Sequence, residues 1–129
     1  MSTSPREQFI QKLRAEIPSI ENLGSTKALE IFQNNNLRPI LKFQNDVLVN
    51  VFLLDLNSKK IDLNTLNTKK RKLLIDTHLR KNSNLRQLLL GMVIALFSID
   101  EMEFYNSVYK ELNKRIFSML KVRLKDQLV

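Results

Sequence analysis

His78 is the one histidine in this chain, so acid–base or metal chemistry near neutral pH would have to begin there. In helical projection it falls between Leu74 and Ile75 on the apolar side of its helix, and Asp76, two positions away, points to a different face. With no second histidine and no cysteine to join it, a buried structural or interface role is favoured over catalysis. Gln44 and Asn45 fall inside the apolar arc of another helix, and Asp55 follows three turns later on the same side. Buried polar groups need partners, so Gln44, Asn45, Asp55 and His78 are the candidates for a ligand site. An ordinary network fixing helix register would leave the same signature.

A second kind of chemistry is suggested by charge. Lys and Arg number 21 against 13 Asp and Glu, a formal +8. Lys59 to Arg86 carries nine basic residues against Asp62 and Asp76, and Lys110 to Lys125 carries six against Glu111. The densest run, Lys69-Lys70-Arg71-Lys72, occupies the first turn of a helix, where positive charge opposes the macrodipole. Lys110, Lys114, Lys121 and Lys125 form a stripe along the terminal helix. Both clusters are candidate sites for nucleic acid or another polyanion. The run of four points all round its helix, with Arg71 towards the apolar side, and no aromatic interleaving accompanies it. A solvated surface is the competing explanation.

The motifs GxxxxGK[ST], GxGxxG, GxSxG and HExxH do not occur. Asp100, Glu101 and Glu103 read as favourable charge at a helix N-terminus. No cofactor, metal or catalytic residue is expected.

The elements that must position these residues are all helical. Two glycines, three prolines and no persistent alternation predict an all-α, single-domain bundle of five or six helices over 1–129. Ser4-Pro5-Arg6-Glu7 is a capping box opening a helix to about Glu16. Pro18 and Gly24 bracket a connector, so residues 1–24 read as a loosely attached N-terminal arm. Ser25 caps a second helix to about Asn35. Arg38-Pro39 predicts a break, with a third helix running on to about Leu56. A loop follows from Asn57 to Leu66, turning near Asp62. Asn67 caps a helix from Thr68 to Lys81, and another runs from about Asn84 to Phe97. Ser98-Ile99-Asp100-Glu101, a second capping box, opens a long terminal helix to about Gln127.

Helical projection assigns the faces. Tyr105, Val108, Leu112, Ile116, Met119 and Leu120 should be buried, opposite the lysine stripe. Lys42, Asp46 and Asn50 should be the only continuous polar stripe on the third helix. The fifth is apolar all round after its first turn and should be the enclosed central helix. Gly91 within it predicts another backbone approaching closely. A chain this short cannot easily cover so much apolar surface, which predicts a homodimer or a protein partner.

The longest apolar stretch, Leu88 to Phe97, is about half a membrane span. Without cysteines or an apolar leader, a cytoplasmic protein is expected.

Leu37-Arg38-Pro39-Ile40-Leu41-Lys42-Phe43-Gln44-Asn45-Asp46 and Leu112-Asn113-Lys114-Arg115-Ile116 resemble a family of short proteins of Bacteroidetes-type bacteria, with the similarity running from about Ser25 onward. The resemblance implies an all-helical bacterial protein. Members are sometimes called "glyoxalase", an activity whose vicinal-oxygen-chelate form rests on βαβββ modules with His and Glu metal ligands. One histidine and no strand pattern supply no such set, so no functional residue is carried over. The expectation that remains is a non-enzymatic module that self-associates or docks a protein, with polyanion binding and a small-molecule site as alternatives.

Overall fold

The computed structural model describes residues 4–15 and 28–129, and among them no strand occurs. The elements are α1 (Pro5–Ala15), α2 (Ala28–Phe32), a π-helical turn (Gln33–Leu37), α3 (Arg38–Ser58), a 3-10 turn (Leu63–Thr65), α4 (Thr68–Lys81), α5 (Ser83–Ile94) and α6 (Ile99–Leu128). The connector at Pro18 and Gly24 and the cap at Ser25 lie outside the described residues.

The expected break at Arg38-Pro39 does not form. Ala28 to Ser58 follows one helical path, and the residues flanking the π turn keep right-handed helical angles. Proline lacks an N–H and its ring crowds the carbonyl four residues back. Here the preceding turn widens, and the Arg38 N–H reaches back five residues to the Gln33 carbonyl. The widened turn accommodates the ring and spares the helix. Leu37, Ile40 and Leu41 around it are fully buried, and Asn36 ties the turn to Glu101 on α6.

α3 then ends in a Schellman motif. Ile61 N–H donates to Leu56 O and Lys60 N–H to Asn57 O, both at 3.0 Å. Lys60 sits at φ 58°, where glycine is usual. Asp62 caps the 3-10 turn by accepting from the Asn64 N–H, and Asn67 caps α4 by accepting from the Lys70 N–H. Ser98 and Glu101 make both halves of their capping box. At Ser4 only one half exists: Ser4 Oγ accepts from the Glu7 N–H. The Glu7 carboxylate accepts instead from the Ile99 N–H at the start of α6. Arg6 donates to the carbonyls of Ala95 and Phe97, and with Ile10 buried these bonds hold α1 against the α5–α6 turn.

α6 packs against α4 and α5, and α3 packs against α5. Tyr105, Leu112, Ile116, Leu120 and Leu124 form the buried seam of α6. Val108, at φ −138° and ψ 30°, kinks the helix, and Tyr105 donates to Asn113 across the kink at 2.6 Å. Val108 and Met119 are only half-buried, unlike the face predicted for them. Lys110 and Lys114 are exposed as expected. Lys121 and Lys125 are half-buried, and Lys125 pairs with Asp76 on α4 at 2.8 Å.

Two expectations about α5 fail. It is not enclosed: Leu85, Leu89, Leu90 and Val93 are buried, but Leu88, Gly91 and Ala95 face outward. Nothing lies within 4 Å of a Cβ built at Gly91, so no backbone approaches it.

Leu112→Ala should destabilise by about 2–5 kcal/mol, because it hollows a fully buried site. Lys110→Gln and Lys114→Gln should each stay within about 0.5 kcal/mol. Lys60→Gly should stabilise by about 0.5–1 kcal/mol, the relief of left-handed strain exceeding the added unfolded-chain entropy. Urea denaturation checks all of these.

Candidate functional site

His78 and Asp55 meet as the sequence suggested, but no ligand site forms around them. His78 is 5% exposed, on α4, with its ring perpendicular to that of Phe52. Its Nε2 lies 2.6 Å from Asp55 Oδ2 on α3. The Asn82 amide nitrogen lies 3.1 Å from Nδ1 and also donates to the His78 carbonyl at 2.7 Å. Both ring nitrogens are therefore committed within the fold. A general base needs one nitrogen within reach of a substrate, and His78 offers neither.

Lys59 adds a second clamp on Asp55, with Nζ 2.8 Å from both carboxylate oxygens. Burial by itself would raise the Asp55 carboxyl. The hydrogen bonds from Lys59 and His78, with the charges behind them, outweigh that and hold it below its ordinary value of 3.8.

Gln44 and Asn45 do not join this pair. Gln44 donates to the Met92 carbonyl on α5 at 3.1 Å. Asn45 exchanges two hydrogen bonds with Gln127 on α6 and accepts another from Arg123. The four candidates are thus three separate cross-helix ties: α3 to α4, α3 to α5, and α3 to α6. Asn45 does border an open groove of about 610 Å³ with Arg38, Arg123 and Gln127.

A hollow of about 870 Å³ lies where α3 ends. Two of its polar groups are committed within the fold. Asp62 caps the 3-10 turn, and Arg71 donates to the carbonyls of Leu66 and Leu128. Of the basic run, Lys69, Lys70 and Lys72 are exposed while Arg71 turns inward, as projected. They share no hollow with one another.

A third feature is apolar. Phe43, Val47 and Leu54 on α3 are all more than half exposed, Leu54 at 68%, with Val51 half-buried among them. Their spacing of four, four and three holds them on one side of the helix. α5 runs antiparallel beside them: Gln44 bonds at Met92, while Val51, Leu54 and Asp55 share a hollow with Leu85 and Leu88. Leu88, 55% exposed, therefore extends the strip, and open Gly91 lies level with Val47. Lys42, Asp46 and Asn50 are exposed along its edge, as the sequence indicated. The strip itself was not read from the sequence. Each helix signalled excess apolarity, but its direction depends on how the two helices pair.

Among the described residues there is no group of three or more His, Asp or Glu placed to hold a metal ion. No described helix is long and apolar enough to cross a membrane. Compared with protein-family models, curated proteins and solved structures, the chain gives no match.

Asp55→Asn should cost about 1–3 kcal/mol at pH 7, because His78 is left buried with a weakened partner. A depressed carboxyl contributes stability above its unfolded value, and that contribution is lost as pH falls through the folded value. The gap between variant and parent should therefore begin to close below about pH 4 and vanish only below the lowered folded value of the Asp55 carboxyl. Thermal melts across pH 2.5–8 test this, and a gap that persists unchanged in acid counts against the clamp.

Proposed function

We propose that this chain is a cytoplasmic, non-enzymatic helical module that self-associates through the α3–α5 strip, as a homodimer. The observation carrying this reading is the strip itself: Phe43, Val47, Val51 and Leu54 beside Leu88, with Gly91 and Ala95 open between them. Exposed aromatic and aliphatic side chains on one continuous face, edged by Lys42, Asp46 and Asn50, follow the pattern of an apolar interface centre with a polar rim. Gly91 and Ala95 present almost no side chain, so a second helix can lie close along α5. The commitment of both His78 nitrogens, and the dispersal of Gln44 and Asn45, support a reading without catalysis.

Size-exclusion chromatography with light scattering tests the proposal. The parent should run at about twice the 15.1 kDa chain mass at high concentration. Leu54→Lys combined with Leu88→Lys should return it to the single-chain mass with its helical circular dichroism intact, since both positions are exposed. A parent chain that stays monomeric at high concentration defeats the proposal.

A further inference from the structure

On the other side of α5 the chain gathers cations around a different hollow. Arg80 from α4, Arg86 from α5, and Lys114 and Lys121 from α6 line a cavity of about 390 Å³, bordered by the apolar Leu79 and Phe117. No carboxylate borders it. Among the described residues, Arg80, Arg86 and Lys121 pair with no acid. Lys114 has only a loose 3.5 Å contact to Glu111 on its own helix, both ends well exposed. Asp76 stands one helical turn before Arg80, where it would be the natural counter-ion. It is taken by Lys125 at 2.8 Å.

One of the cations is held in place. Arg86 donates to the carbonyls of Leu79, at 2.9 Å, and Arg80, at the C-terminus of α4. Those bonds use one terminal nitrogen of the guanidinium and leave its remaining donors uncommitted. Like charges assembled from three helices repel, and among the described residues no acid pairs with Arg80, Arg86 or Lys121. An anion carrying several charges would offset them.

We propose that this hollow binds a compact polyphosphate group, the diphosphate or triphosphate of a small phosphorylated molecule. Guanidinium forks match phosphate oxygens in pairs, and the two lysines supply point charges at the rim. A single carboxylate would neutralise one cation of the four. The volume falls within the range of small-ligand sites, about 300–1,000 Å³, and the Leu79–Phe117 side leaves apolar surface for the body of such a molecule. The inference is independent of self-association. Arg86 and Leu88 are two positions apart on α5, about 200° round the helix, so the hollow and the apolar strip face opposite ways.

Calorimetric titration with inorganic pyrophosphate, at low salt and then at increasing salt, tests the proposal. Binding should saturate near one equivalent and weaken as salt screens the cations. Arg80→Gln combined with Lys121→Gln should raise the Kd by about tenfold or more, whereas Lys69→Gln combined with Lys72→Gln should change it by less than about twofold. A fluorescent single-stranded oligonucleotide, if it binds, should be displaced by pyrophosphate. The proposal is overturned by absence of saturable binding at low salt, by equal weakening in both double variants, or by oligonucleotide binding that pyrophosphate leaves untouched. Leu54→Lys with Leu88→Lys should retain pyrophosphate binding, so loss of the dimer and loss of the anion site are read separately.

Discussion

A helix of thirty residues needs a partner surface of comparable length, and neither helix packed against it supplies one alone. α6 spans about 45 Å at 1.5 Å per residue. α4 and α5, of 14 and 12 residues, cover it together. The corner between them is one residue wide, at Asn82, so the last carbonyls of α4 must find donors within a sharp turn. The Asn82 amide satisfies the carbonyl of His78, while Arg86 satisfies those of Leu79 and Arg80. The same Asn82 amide reaches the His78 ring, which fixes α4 to Asp55 on α3. The same Arg86 stands beside Arg80 and starts the basic hollow. Fold, histidine clamp and anion site thus all follow from folding two short helices along one long one.

Local capping chemistry was legible because it is written within four residues. Asn67, Ser98 with Glu101, and Ser4 each act where their spacing indicated, and α4 begins and ends as read. The seam through Leu112, Ile116 and Leu120 was equally plain from periodicity. Pro39 misled because its usual effect is local, whereas its accommodation here is not. The π turn that absorbs it is held by the buried Leu37, Ile40 and Leu41 and by Asn36 reaching Glu101, sixty-five residues on. Gly91 misled for the opposite reason. A glycine in an apolar helix signals a small residue without saying whether a neighbour or solvent lies beyond it.

The site was less legible than the fold. Periodicity placed Asp55 and His78 on apolar sides but could not pair residues 23 positions apart, nor send Gln44 and Asn45 to different helices. Arg80 and Arg86 drew no notice, since neither belongs to a run or a stripe. Only the α4–α5 corner brings them to Lys114 and Lys121. The lysine stripe, conversely, looked uniform on a helical projection. Packing divides it: Lys125 is spent on Asp76, Lys121 and the exposed Lys114 border the hollow, and Lys110 remains in solvent.

A formal charge of +8 leaves cations in excess, and several of the acids that might offset them are occupied in caps, turns and helix pairs. Glu7 and Glu101 sit on helix N-termini, Asp62 closes a turn, Asp55 is clamped between His78 and Lys59, and Asp76 binds α6 through Lys125. Each carboxylate used this way is unavailable to neighbouring arginines and lysines. Positive potential therefore accumulates where the structural acids are absent, and it is greatest where several helices contribute cations to one concave surface. At Lys69, Lys70 and Lys72 the charges diverge into water, which screens them cheaply. At Arg80, Arg86, Lys114 and Lys121 they border one hollow together with Leu79 and Phe117, so an anion entering it meets several cations at once.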